Sequence, residues 1–244
     1  MGKVGCAILA GLAFSCLAGC SSYEIKFNPL VKYKIPPVDH ATAVEGQIDE
    51  AKALEARAAL PHNTVRERFE LQRQAGQSLM AALGSQDYIL IGEVYGGGDA
   101  KTNLATLTEA LCQKAAGKGG DAVLIYASGI EDQPFVYSTP GYSTTYVYGP
   151  AYRSHRYARG GSTAYTTYTP GQTYSGVLHL PRANGLVFRY VPGVEQRREA
   201  MAALSEAELE HAMQVLDALA DDESLTLQEV LDCWDQLLVK AGKP

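Results

Sequence analysis

The sequence predicts an α+β fold: a small sheet built from a β-α-β unit plus a hairpin, flanked by N- and C-terminal helical hairpins. Three observations predict it. Apolar runs of strand, helix and strand character follow one another in the centre of the chain. An Asn-Gly pair separates two further apolar runs. Ser/Thr-x-x-Glu sequences, which are typical of helix N-termini, occur on both sides of this central region.

The central unit is predicted over residues 88–126, within an α/β domain at 85–192. Residues 88–95 form the first strand, and three glycines at 96–98 form a turn. Leucines at helical spacing from Leu104 to Leu111 predict a helix that ends at the glycines of 117–120, and residues 122–126 form a second strand. Such a unit normally crosses over right-handed.

The predicted hairpin joins residues 177–180 to residues 186–190 through 181–185. Asn184 and Gly185 tolerate positive φ, as tight hairpin turns require.

The N-terminal helical hairpin is predicted at 42–84. Its arms, 43–60 and 65–83, start after Thr42 and Thr64. The first arm is rich in alanine and alternating charge, which leaves open a partner surface or a solvated helix lying on the domain.

The C-terminal helical region is predicted at 193–244, with helices starting after Ser205 and Thr226. Apolar side chains recur on one stripe of each helix, and Trp234 is expected to dock this region on the body.

The N-terminus carries one cation, Lys3, then a fourteen-residue apolar run at 4–17 and Leu17-Ala18-Gly19-Cys20. The run is shorter than the roughly 20 residues of a membrane-spanning helix. The segment resembles the signal peptide and lipobox of bacterial lipoproteins. The alternatives to this interpretation are an ordinary secretory signal and a short buried helix.

This resemblance implies a signal peptide at 1–19, lipid on Cys20 and a lipid-anchored location in the cell envelope. Ser21 stands where lipoproteins kept at the inner membrane of diderm bacteria typically carry aspartate, so the resemblance implies the outer membrane there. Residues 20–41 contain three prolines and are predicted to be a lipidated tether.

Charge and cysteine content narrow the function further. Loss of Lys3 with the signal changes the formal charge from −6 to −7, so no general attraction to nucleic acid is expected. Cys6 and Cys16 leave with the signal. Cys112 and Cys233 remain, either as a disulfide or as two free thiols.

Residues 134–175 form a tyrosine-rich insertion with nine of the fifteen tyrosines, three arginines and no Asp or Glu. This composition suits a contact surface for a protein partner. A disordered or loosely hairpinned insertion is the alternative. The candidate contact residues are Tyr137, Tyr142, Tyr146, Tyr148, Tyr152, Arg153, Arg156, Tyr157 and Arg159.

No catalytic, metal or cofactor site is predicted. The glycine-rich stretch from Gly96 to Thr102 lacks the glycine spacing of a P-loop, so no nucleotide is expected. Residues 218–229 have alanines at the first two ligand positions of an EF-hand loop. The five histidines are scattered without metal-ligand spacing.

The stretch from Leu111 to Val123, with Gly92-Glu93-Val94 before it, resembles small α/β envelope lipoproteins and related heavy-metal-binding-like domains over about residues 88–127. We therefore expect a lipid-anchored, non-enzymatic binding or scaffolding protein. The rival is a small-ligand or carbohydrate binder, or an enzyme without a recognisable motif. A pocket lined by Glu93, Tyr126 and His179 would favour the rival.

Overall fold

The computed structural model describes residues 22–61, 64–148 and 163–242, and it confirms the α+β class with a small sheet. The chain divides into a main unit, Met1–Ile130 with Leu180–Pro244, and a second unit, Glu131–His179.

The main sheet is mixed and has five strands: β1 Tyr23–Pro29, β2 Thr42–Glu45, β3 Tyr88–Gly98, β4 Ala122–Ser138 and β7 Thr173–Tyr190. Their order across the sheet is β1-β3-β7-β4-β2. The edge strand β1 pairs antiparallel with β3, and the edge strand β2 pairs parallel with β4. In the second unit, β5 Tyr142–Tyr148 and β6 Thr163–Thr169 form an antiparallel pair.

Helices cover both faces of the main sheet. The helices are α1 Asp49–Ala58, α2 Val65–Ala81, α3 Leu104–Ala116, α4 Val194–Ala202, α5 Glu206–Ala220 and α6 Leu227–Lys240. Leu107 and Leu111 of α3 pack with Val94 and Val187 on one face. On the other face, Leu79 of the α1–α2 pair lies in one cluster with the sheet residues, including Phe188.

The predicted strand-helix-strand unit is present as β3, α3 and β4. Leu107 and Leu111 of α3 are fully buried because their spacing places them on the stripe that faces the sheet. The two strands are not neighbours, since β7 lies between them. The sequence therefore predicted the elements correctly but not the strand inserted between them.

The predicted hairpin at 177–190 is wrong, because β7 runs unbroken through Asn184 and Gly185. Glycine is needed there for close packing rather than for a turn: a Cβ on Gly185 would lie 2.6 Å from Cγ1 of Val123. The glycine turn predicted at 96–98 is also wrong, since these residues belong to β3.

The predicted tether is wrong from Tyr23 onward. β1 forms the sheet edge, and Ile25 and Phe27 pack against the core while Glu24 and Lys26 face outward. This alternation is a strand signal of period two. Further along, the side chain of Tyr33 is buried, so the segment after β1 also belongs to the folded body.

The helix predicted from residue 43 starts later, because Thr42–Glu45 forms β2 beside β4. The other three predicted helix starts are confirmed: the side chains of Thr64, Ser205 and Thr226 each accept a hydrogen bond from the amide three residues on. The sequence missed α4. As expected, Trp234 docks α6 on the body, where it packs between two core clusters.

Candidate functional site

The lipobox cysteine, Cys20, lies outside the described residues, and Ser22 is the first residue that the structure describes. The amide and Oγ of Ser22 both donate to Oδ2 of Asp99, at 2.9 and 3.2 Å. In return, the Asp99 amide donates to the carbonyl of Ser22 at 2.9 Å. The chain is thus fixed to the sheet two residues after Cys20.

The other oxygen of Asp99 organises the turn that follows β3. Oδ1 accepts from the amides of Lys101 and Thr102, each at 3.0 Å, and from Oγ1 of Thr102 at 2.9 Å. These hydrogen bonds, above all the one from the Ser22 amide, hold the pKa of Asp99 well below its usual range. A carboxylate at this position therefore links the chain start to the end of β3.

Replacing Asp99 with alanine should loosen β1 without unfolding the core. The change removes the acceptor for Ser22 and for the turn, so we expect faster hydrogen exchange in residues 22–27, as measured by mass spectrometry. The control is Asp222→Ala, because Asp222 accepts from Ser224 in a comparable exposed turn after α5. Equal protection of residues 22–27 in both variants would contradict the role assigned to Asp99.

Protection of residues 22–27 should also depend on pH. Because the folded pKa of Asp99 is lowered, its contribution is complete above the unfolded value of about 3.9 and is lost as the pH falls through the folded value. Hydrogen exchange corrected for its intrinsic pH dependence should therefore show β1 opening below about pH 4. The Asp99→Ala variant should show no such step.

The tyrosine-rich insertion is folded into strands over its described part. Tyr137 lies at the end of β4 and Tyr142 at the start of β5, and their side chains are 57% and 65% exposed. Tyr146 and Tyr148 belong to β5. The remaining candidate contact residues, Tyr152, Arg153, Arg156, Tyr157 and Arg159, lie outside the described residues.

Within the second unit, the ends of β4 and β7 form a two-stranded ribbon with two different faces. On one face the Tyr137 and Tyr174 rings stack at 6.2 Å, and the Phe135 ring packs over Gly176. We call Phe135, Tyr137, Tyr174 and Leu178, which share this face by strand alternation, the aromatic face. All four side chains are exposed, at 38–57%.

The opposite face of the ribbon carries polar pairs together with the exposed side chains of Val136 and Val177. His179 Nδ1 lies 2.6 Å from Oδ1 of Asp132, and Oγ of Ser138 lies 3.1 Å from Oγ1 of Thr173. His179 is thus engaged with Asp132 in the second unit. Its place in a pocket with Glu93 and Tyr126, which are residues of the main unit, remains a prediction.

Glu93 and Tyr126 do lie near each other, on the α1–α2 face of the main sheet. The Tyr95 hydroxyl donates to Glu93, and this hydrogen bond raises the pKa of Tyr95 to about 12. Burial, followed by the Glu93 charge, raises the pKa of Tyr126. Lys52 Nζ of α1 lies 5.3 Å from the Tyr126 ring centroid, a cation–π distance.

A shallow groove of about 240 Å³ lies beside this cluster. The guanidinium of Arg182 lies across Gly97, in the space that a Cβ at this position would occupy. The lining side chains include Lys26, Tyr95, Arg182 and Asn184. Mixed hydrogen-bonding groups beside an aromatic ring suit a small polar ligand.

Cys112 and Cys233 are free thiols, so of the two alternatives the pair of free thiols is the one observed. Cys112 is buried in the core cluster beneath α3, and burial raises the pKa of its thiol. A buried thiol with a raised pKa is a poor nucleophile.

The glycine-rich and EF-hand-like stretches serve the fold. Gly96–Gly98 pairs with β1 as ordinary strand. Glu229 caps α6 by accepting from the amide and hydroxyl of Thr226. Within residues 22–61, 64–148 and 163–242, no group of three His, Cys, Asp or Glu side chains is arranged to hold a metal ion.

Among the helices of the described part of the chain, none has the length and apolarity needed to cross a membrane. Comparisons with known proteins found no matching family model, no matching curated protein and no matching solved structure.

Proposed function

We propose that this chain is a lipid-anchored cell-envelope protein of a non-enzymatic binding or scaffolding type, with the tyrosine-rich insertion as its contact surface. The observation that carries the proposal is the sequence Leu17-Ala18-Gly19-Cys20. Two residues after Cys20, Ser22 is hydrogen-bonded to Asp99 of the folded body. A cleaved and acylated Cys20 places lipid directly beside the body. In a diderm source, Ser21 favours the outer membrane.

Exposed apolar side chains support the contact role of the insertion. Among the side chains that the structure describes, eight of the fourteen exposed large hydrophobic ones belong to the second unit, which spans Glu131–His179. Exposed apolar surface concentrated in one region marks an interaction site more often than the same residues scattered singly.

Lipidation is tested by mass spectrometry of the N-terminal peptide together with membrane fractionation. We expect wild-type protein to start at a diacylated or triacylated Cys20 and to sediment with membranes. Cys20→Ser should lack lipid and appear in a soluble or uncleaved form, because several acyl chains supply the anchor. Cys16→Ser is the matched control, since it changes a signal-peptide cysteine outside the lipobox. An unmodified wild-type Cys20 would overturn the proposal.

A second candidate function is binding of a small polar or carbohydrate ligand at the groove beside Tyr95. The favouring observation is the Glu93–Tyr95 hydrogen bond on an open sheet face with Arg182 and Asn184 nearby. Titration of the protein with soluble glycans, followed through labelled tyrosine rings by NMR, tests it. Shifts confined to Tyr95 and Tyr126 and lost in Asn184→Ala would support this function; unchanged rings would reject it.

A further inference from the structure

We propose that the aromatic face of the second unit, formed by Phe135, Tyr137, Tyr174 and Leu178, binds the headgroup interface of the bilayer leaflet that holds the Cys20 lipid. This inference rests on the proposed lipid anchor and names the partner of the insertion: a phospholipid surface. It differs from the protein partner that the composition alone suggested. It depends on where the anchor enters the main unit, where the insertion leaves it, and what the ribbon exposes.

The anchor enters the main sheet at the end where β1 starts and β3 finishes. Ser22 is held by Asp99, and the next residue, Tyr23, pairs with Gly98 at the end of β3. Ser22 comes two residues after Cys20, with Ser21 between them, and two extended residues span at most about 7 Å. The headgroup region on each side of a bilayer is about 5–7 Å thick. A lipid on Cys20 therefore holds Ser22, at this end of the sheet, close to headgroup level.

The insertion leaves the main unit at the same end of the sheet. Gly97 of β3 pairs with Arg182 of β7, so Leu180, two residues earlier in β7, lies level with the end of β3. The residue before β4, Asp121, accepts from the Tyr190 amide, and Val123 lies against Gly185. β4 therefore runs along β7 toward this end of the sheet, where the chain passes from the main unit to the second unit after Ile130. Both connections to the second unit thus leave the main sheet at the same end as the anchor.

The ribbon has the composition of an interfacial element. Tyr137 and Tyr174 have rings with a polar tip, the kind of side chain enriched where hydrocarbon meets headgroups. Phe135 and Leu178 add apolar area to the same face, while the other face is mixed, with the Asp132–His179 and Ser138–Thr173 pairs beside exposed Val136 and Val177. Residues 134–175 contain no Asp or Glu, so no carboxylate there is repelled by lipid phosphates.

A second contact also fits the physics of lipid anchoring. Acyl chains fix the position of one point, Cys20, but leave the orientation of the body free. An interfacial face at the base of the insertion adds apolar burial without a further search in solution, because the anchor has already brought it to the surface. The expected result is one orientation of the protein on the membrane.

The test is fluorescence quenching with the acylated chain in vesicles. The protein is purified with its lipid, in a Trp234→Phe background, and reconstituted in phosphatidylcholine brominated on the acyl chains close to the headgroup. One variant carries Tyr137→Trp. The control carries Val239→Trp, at a 62% exposed position on α6 of the main unit. The control carries the same indole side chain, so it accounts for the affinity that indole itself has for bilayers.

We expect emission of the Tyr137→Trp variant to fall at least about twofold on brominated relative to plain vesicles, as for an indole at interfacial depth. Val239→Trp should be unaffected. Equal quenching in both variants, or none in either with lipid present on Cys20, overturns this inference alone and leaves the aromatic face to a protein partner. A chain without lipid, identified by mass spectrometry of the same sample, overturns the proposed function as well.

Hydrogen exchange provides a second measurement that needs no tryptophan substitution. Amides in 135–138 and 173–178 should exchange several-fold more slowly in acylated protein on phosphatidylcholine vesicles than in the Cys20→Ser protein, which lacks the lipid, in buffer without vesicles. The α6 amides serve as the internal reference. Equal exchange in 135–138 and 173–178 in both samples would contradict the interfacial contact.

Discussion

Replacing Phe188 with alanine should lower the free energy of unfolding of the main unit by about 3–5 kcal/mol. Phe188 is 1% exposed and lies between the sheet and the α1–α2 pair, with its ring edge-on to Tyr88 at 6.4 Å between centroids. Truncation leaves a cavity that the surrounding strands and helices cannot close. Urea unfolding followed by Trp234 fluorescence measures the change.

The matched control is Phe135→Ala, which removes the same ring from the aromatic face. Phe135 is 38% exposed and packs mainly over Gly176, so we expect a loss of about 1 kcal/mol or less in the unfolding of the main unit. A loss as large for Phe135→Ala as for Phe188→Ala would contradict the placement of the core. If Phe135→Ala instead speeds hydrogen exchange of residues 173–178 in the acylated protein on vesicles, Phe135 acts in membrane contact and Phe188 in stability.

The central elements were predictable because their signals are local. The leucines of α3 recur at helical spacing, and Thr64, Ser205 and Thr226 accept from backbone amides three residues away. Each of these features needs only a few consecutive residues. The sequence therefore specifies them without knowledge of the neighbouring elements.

The mistaken predictions concern residues whose role depends on a distant neighbour. Gly185 suits a turn by its own chemistry, but Val123 of β4 requires it inside a strand. Thr42 suits a helix cap, but its amide donates to the carbonyl of Asp121 beside β4. In β1, the alternation of Ile25 and Phe27 was a usable strand signal that the neighbouring prolines obscured.

The candidate sites were predictable only in part. The composition of residues 134–175 indicated a contact surface, and the structure separates its described part into an aromatic and a polar face through register. Asp99 had no motif to mark it, because its partner Ser22 lies 77 residues earlier in the chain. The tether prediction implied a spacer between Cys20 and the folded body, whereas the Ser22–Asp99 hydrogen bonds fix the chain to the sheet two residues after Cys20.

The helix α4 escaped prediction because polar contacts hold it. Arg197 binds both oxygens of Asp235 on α6, at 2.7 and 2.8 Å. Glu195 accepts from Gln77 of α2 at 3.0 Å and lies 3.5 Å from Arg73. Since Glu195, Arg197 and Arg198 face neighbouring elements rather than solvent, α4 shows little of the apolar stripe by which surface helices are recognised.

Replacing Arg198 of α4 with methionine should lower the free energy of unfolding by about 2–4 kcal/mol. Arg198 donates to the carbonyls of Gln86 and Tyr88 at 2.8 and 2.6 Å, and burial lowers the pKa of its guanidinium. Methionine keeps the apolar stem but leaves both carbonyls without this donor where β3 begins. Arg198→Lys should lose less, because one ammonium can satisfy one of them. Arg68→Met, at an exposed position of α2, is the control and should change stability by less than about 0.5 kcal/mol. Urea unfolding that shows equal losses for Arg198→Met and Arg68→Met would mean that α4 is not fixed to β3 through this guanidinium.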